Sequence, residues 1–202
     1  MMRSQNEILN MAVKAARGAG HPFGLAEEMG KAALWLCQNQ FDGVGVLTTE
    51  LRSTSGAVQY ETTSEGIALS GASTACLAVC GMDGLAAGMS IGAILTNVNN
   101  PLMLLGICAA TSVEMQTGVE LDNWAKVDQG QIVALEDEPP EGDYRLRLYG
   151  SNDPVSSGVD DAQIDIPDHR WSVLEALAAR TYVPATTESR ASGAGAGLTD
   201  ND

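Results

Sequence analysis

The apolar positions near the start of the chain repeat at helical spacing. Ile8, Met11, Ala12 and Ala15 fall on one face. Ser4-Gln5-Asn6-Glu7 precedes them as a capping box: the Ser hydroxyl takes a free backbone N–H, and the Glu side chain reaches back to the cap. Gly18 suits a C-terminal cap, so a first helix is predicted from about Gln5 to Arg17. Gly18-Ala19-Gly20-His21-Pro22 forms a turn. A second helix follows, from Phe23 or Gly24 to Gln38, with Leu25, Met29, Ala32, Ala33 and Leu36 as its buried stripe. Glu27 and Lys31 predict a supporting i,i+4 ion pair on its outer face. Together the two helices make an αα-hairpin.

The middle of the chain is patterned less sharply. Phe41 to Leu51 is predicted as a short helix, and Ser53 to Ser73, small and polar, as a surface loop. Ala75 to Ala87 reads as helix broken near Gly81 to Gly84. Ile91 to Val98 reads as a strand. Pro101 then opens a helix with Leu102, Leu105, Cys108 or Ala109, and Val113 on one face, ended by Gly118. Val119 to Val127 and Gln131 to Leu135 read as strands joined by a three-residue turn, Asp128-Gln129-Gly130. Glu136 to Asp143 is an acidic turn. Tyr144 to Tyr149 alternates as a half-buried strand, and Ser151 to Ala162 is a second acidic loop. Ile164 to Ile166 is a short strand. Asp168 or Ser172 caps a last helix, whose apolar face is Trp171, Leu174, Leu177 and Ala178, and Pro184 marks its end. The element order predicts an α+β fold, with the N-terminal αα-hairpin and further helices packed on a largely antiparallel sheet. It is expected as one domain over 1–202, with the segment 184–202 folded back onto it.

Composition narrows the function. The chain has 202 residues, 45% of them hydrophobic but only 4% aromatic, so the core is aliphatic and Ala-rich. A formal net charge of −15 argues against nucleic acid and against anionic lipid, since phosphate contacts need Lys and Arg. The opening "MMRSQNEILN" lacks an apolar signal region, and no apolar run is long enough to span a bilayer. A cytoplasmic location is expected. Cys37, Cys76, Cys80 and Cys108 lie in apolar contexts, with Cys76 and Cys80 on one helical face. Zinc wants more ligands and a Cys-x-x-Cys knuckle, so buried reduced thiols are expected.

Candidate chemistry gathers at the two ends. Glu28 flanks the buried stripe of its helix, where a carboxylate must be paired or shifted in pKa, so it is a candidate acid/base or cation anchor. Arg17 sits with Gly18, Gly20 and His21 at the helix junction. It can bind a ligand carboxylate bidentately, clamp the acidic tail, or cap its own helix. His21 and His169 read as surface residues. In the closing stretch "YVPATTESRASGAGAGLTDND", Thr186 or Thr187 can cap a turn through Glu188, Ser189 and Arg190. Gly193 stops that turn, and Gly193, Gly195 and Gly197 expose backbone N–H groups able to cradle an anion. The glycines match neither a P-loop nor a dinucleotide fingerprint. Asp200-Asn201-Asp202 is oxygen-rich, but no metal is assigned to it. The residues name no cofactor, and there is no nucleophile elbow or triad.

The segments "ARGAGHPFGLAEEMGKAALWL" and "YVPATTESRASGAGAGLTDND" resemble the opening and closing signatures of an uncharacterised bacterial family catalogued only as a domain of unknown function. The resemblance implies a bacterial protein of about this size whose two ends belong to one site, and it brings no activity. The expectation is a small enzyme or metabolite-binding protein. Arg17 and Arg190 would hold a carboxylate-bearing metabolite, and Glu28 and Glu188 would position a polar group or move a proton. The alternative is a non-catalytic accessory subunit whose Gly-rich acidic tail docks to a partner enzyme; a homo-oligomer is the other partner expected. A third is that both ends are structural and the function lies in the 53–73 loop.

Overall fold

A computed structural model describes residues 1–53, 56–122, 124–140, 142–151 and 162–182. The first helix, α1 (Gln5–Gly18), opens on the expected capping box: Ser4 Oγ accepts from the Glu7 N–H at 3.2 Å, and the Ser4 N–H donates to Glu7 at 2.9 Å. Hydrogen bonding to Ser4 holds the Glu7 carboxyl below its usual range. The helix runs one residue further than Gly18 as cap would allow. Ala19 is the cap, and Gly20 takes the positive φ of +100°. His21 N–H then bonds the Ala16 carbonyl and Gly20 N–H that of Arg17, the paired bonds of a Schellman motif.

Helix α2 (Phe23–Gln38) packs antiparallel on α1, and its predicted stripe is buried except for Leu25, which is half-buried. Gly30 brings the two helices together, since a Cβ there would lie 2.6 Å from Val13 Cγ2. Helix α3 (Gly43–Glu50) is capped by Asp42, whose Oδ1 accepts from Gly45 N–H. The same carboxylate meets Arg170 at 2.6 Å and so ties α3 to the last helix, α6 (Asp168–Ala178). That helix starts at Asp168 with Pro167 at the cap. Neither Asp168 nor Ser172 caps it, because the Ser172 hydroxyl donates back to the Asp168 carbonyl.

The expected loop at 53–73 contains a hairpin instead: β2 (Gln59–Thr63) pairs antiparallel with β3 (Gly66–Ser70). Helix α4 (Thr74–Ala86) follows unbroken. Its glycines do not interrupt it; they let it lie close to the sheet. A Cβ on Gly84 would sit 2.8 Å from Ile67 Cδ1, and one on Gly81 3.2 Å from Leu95 Cδ2. Strand β4 (Ala93–Val98) then pairs parallel with β3. Helix α5 (Pro101–Met115) is buried around most of its girth rather than on one face, because it lies between the sheet and α2. Val113, expected inside, is exposed.

The region expected to be a single strand at 119–127 is two, β5 (Thr117–Leu121) and β6 (Ala125–Asp128), paired antiparallel across a turn in which Asp122 takes a positive φ. The β6–β7 connection is a two-residue loop, since Asp128 pairs with Gln131 of β7 (Gln131–Leu135). Gln129 and Gly130 both have positive φ, as a type I′ turn requires. Strand β8 (Gly142–Gly150) alternates as predicted, with Tyr144 and Leu146 inward and Arg145 and Arg147 outward. The seven strands run in the order β2-β3-β4-β8-β5-β6-β7, with β3–β4 the one parallel pairing among them. Two further strands, β1 (Met2–Arg3) and β9 (Ile164–Asp165), pair apart from this sheet. The fold is α+β, as expected. Among the described residues no helix is long and apolar enough to cross a membrane.

Gly18 carries a tertiary constraint. A Cβ there would overlap the Leu177 carbonyl oxygen of α6, so α1 and α6 touch backbone to backbone. Gly18→Ala should force them apart and cost about 1–3 kcal/mol in urea denaturation. A change within about 0.5 kcal/mol would contradict that close approach.

Candidate functional site

The seam between α1 and α2 opens at one end into a groove of about 420 Å³. Leu9, Val13, Lys14 and Arg17 line it from α1. Phe23, Glu27 and Lys31 line it from α2, and Thr181 borders it as well. The Arg17 guanidinium lies 5.2 Å from the centre of the Phe23 ring, which is itself 56% exposed. Among the described residues neither Lys14 nor Arg17 has a carboxylate partner. Lys31 differs: its ammonium meets Glu28 at 2.9 Å and Glu114 at 2.5 Å. Burial works against the Lys31 charge, but hydrogen bonds to Glu114 and Glu28 prevail and raise its pKa.

The predicted site residues are thus distributed over more than one place. Arg17 lines the groove. Gly20 turns the chain beside it, and Gly18 faces α6. Glu28 is half-buried and lines a separate cavity of about 250 Å³ with Gly24, Asp83 and Glu114. Lys31 links the two, because it borders the groove while bonding Glu28. The i,i+4 partner expected for Lys31, Glu27, is not the one it takes. Glu188, Arg190, Gly193, Gly195 and Gly197 lie outside the described residues. Lys14 and Phe23, which sequence reasoning did not assign to the site, belong with Arg17. Lys14 and Arg17 are three apart on α1, and that spacing was the signal.

A second polar cluster lies where the C-terminal ends of the parallel strands β3 and β4 meet the starts of α4 and α5. Glu50, at the end of α3, is fully buried there. Its Oε1 accepts from Ala75 N–H at 2.7 Å, in the first turn of α4, and its Oε2 accepts from Asn100 Nδ2 at 3.0 Å, just before α5. Asn100 Nδ2 also donates to the Val46 carbonyl at 3.1 Å. Next to this, Thr74 Oγ1 donates to Asn99 Oδ1 and accepts from Asn99 N–H. A carboxylate facing the N-terminus of α4 is favoured by the free N–H groups and the macrodipole. With both oxygens held, Glu50 serves to register three helices. His21 lies within electrostatic reach of it and is half-buried; burial lowers the His21 pKa, and Glu50 partly opposes this.

Among the described residues this α+β chain thus carries an open helix-hairpin groove with two cations that have no carboxylate partner, and a buried carboxylate junction. Its residues 3–80 match the family model described as "Protein of unknown function (DUF3726)". That stretch runs from the capping box to the middle of α4. It takes in the whole helix hairpin, the opening signature segment and Glu50, whereas the closing segment 182–202 lies beyond it. No curated protein and no solved structure matches the chain.

Two outcomes follow from the junction. Glu50→Ala leaves the Ala75 N–H and the Asn100 amide buried without an acceptor and should destabilise the protein by about 2–4 kcal/mol. Glu50→Gln keeps one acceptor and should cost less. Equal stability of Glu50→Ala and wild type in urea would contradict the assigned role. For His21, the folded pKa lies below its ordinary 6.5, so the unfolded chain binds the proton more readily. Its contribution is present above pH 6.5 and is lost as pH falls through the folded value. Urea midpoints measured from about pH 7.5 to about 5.5 should fall more steeply for wild type than for His21→Asn. Parallel profiles would contradict the shift.

Proposed function

We propose that the protein binds a small carboxylate-bearing molecule with an apolar body in the α1–α2 groove. The observation that carries this reading is the pair Lys14 and Arg17. These are two of only eleven Lys and Arg residues in a chain of net charge −15, and both border an open groove without a carboxylate partner among the described residues. Arg17 has the fork to take a carboxylate bidentately, and Lys14 adds a point charge one turn away. Leu9, Val13 and Phe23 supply an apolar wall for the rest of the molecule. Glu28 serves as the anchor for Lys31 rather than as a free base.

The segment 183–202 is part of this proposal as a second wall. Thr181 borders the groove, so the chain leaves the described residues at its edge. In this reading Arg190 adds a third cation, Glu188 orients a polar group of the ligand, and Gly193, Gly195 and Gly197 allow close approach of the backbone. Binding of the tail to a partner enzyme remains the alternative from a different class. No described contact favours it.

A thermal-shift panel of aliphatic and aromatic mono- and dicarboxylates tests the proposal. At least one member should stabilise wild type in a concentration-dependent way. Arg17→Ala should weaken its binding by about 10–100-fold, the worth of one charge-assisted contact, and Arg17→Lys by less. Deleting 192–202 should weaken binding without loss of the fold. Wild-type affinity in the Lys14→Ala/Arg17→Ala double variant, or no response from any acid, would overturn the proposal.

A further inference from the structure

Helix α4 carries Cys76 and Cys80 one turn apart, outside its fully buried side. Ala75, Leu77, Ala78, Gly81 and Met82 make its buried side. The four cysteines divide into two kinds. Cys37 and Cys108 are buried, and burial pushes both thiols up. Cys76 and Cys80 are half-buried and, four residues apart on α4, stand on one face of the helix. Burial, and then the neighbouring Cys76 sulfur, push the Cys80 thiol up. The expectation of four buried thiols therefore holds for two of them only.

We propose that Cys76 and Cys80 form a two-thiolate site for a soft monovalent cation of the Cu(I) class. Three observations on the helix support the assignment. The i,i+4 spacing puts both side chains on one face of α4, one turn apart, where one ion can bridge the two sulfurs. Both are accessible enough for an ion to arrive. Cys76 also stands in the first turn of α4, its N–H held by Ser73 Oγ, where a helix favours added negative charge. The ion type follows from ligand number and softness. Among the described residues no third His, Cys, Asp or Glu joins the pair to make a metal-binding group. Zn(II) needs four such ligands, whereas thiolates select Cu(I), which two sulfurs can satisfy. The step balances: two S–H bonds break, two S–Cu bonds form, and two protons are released per ion. The complex carries one negative charge, and no oxidant or reductant is involved. Affinity should therefore fall with acid.

Cu(I), supplied anaerobically as its acetonitrile complex and competed with a chromophoric Cu(I) chelator, tests the site on the full chain. One equivalent should bind to wild type, with release of two protons. Cys76→Ser and Cys80→Ser should each weaken binding at least about tenfold, while Cys37→Ser and Cys108→Ser should leave it unchanged. A measurement on wild type alone guards against misfolded variants. Of the four thiols, two should react with an aromatic disulfide reagent in the native state, and one equivalent of Ag(I) should protect both. Wild-type affinity in the Cys76→Ser/Cys80→Ser variant, or Ag(I) that leaves the reactive thiols unprotected, would overturn the assignment.

Discussion

One buried carboxylate holds the helical layer in register. Glu50 is fully removed from water, a position that costs several kcal/mol for an ion without compensation. The compensation is local: a backbone N–H from the first turn of α4 on one oxygen and the Asn100 amide on the other. The same amide reaches back to Val46 in α3. Three helices are thereby fixed at one point, beside the ends of the two parallel strands. Helix α5 leaves this point between the sheet and α2, and α2 in turn carries α1. Gly106 lets α2 and α5 approach closely, since a Cβ there would lie 3.0 Å from the Ala32 carbonyl oxygen. The groove between α1 and α2 is thus the outermost layer of a stack that starts at Glu50.

Local features were legible in the sequence. The capping box, the ends of α2, the alternation of β8 and the Gly in the β6–β7 turn all depend on neighbours within a few residues, and all are found. Features fixed by distant partners were not. Gly81 and Gly84 look like helix breakers until the sheet beneath them is known. The strand β2 is exposed over most of its length, so "QYETT" carries no burial signal, and it is a strand because β3 pairs with it. Helix α5 looked one-sided because its second buried side faces a helix far away in sequence.

The site divides along the same line. Arg17 was recognisable from its place at a helix junction, in a chain poor in cations. Its partners Lys14 and Phe23 come from both helices and needed the hairpin geometry to be seen together. Glu50 gave no warning, because a carboxylate at the end of a short helix ordinarily reads as a solvated residue. The nearest hint was Asn99-Asn100-Pro101 directly after a strand, where polar side chains and a helix start coincide. The half-buried cysteines were on one predicted face, yet their exposure belongs to the folded helix.

The groove and the thiol pair stand on different helices and ask for different chemistry, hard anion against soft cation. The groove is the more consequential of the two. Among the described residues Lys14 and Arg17 meet no carboxylate, so an anion entering the groove would gain from both charges. The most direct measurement is the side-chain Nε–Hε NMR signal of Arg17 during titration with a small aromatic carboxylate. The account predicts a saturable shift of Arg17, with slowed exchange of its proton, while Arg52 and Arg180 stay in place. An unmoved Arg17 signal, or equal drift of all three without saturation, would contradict it.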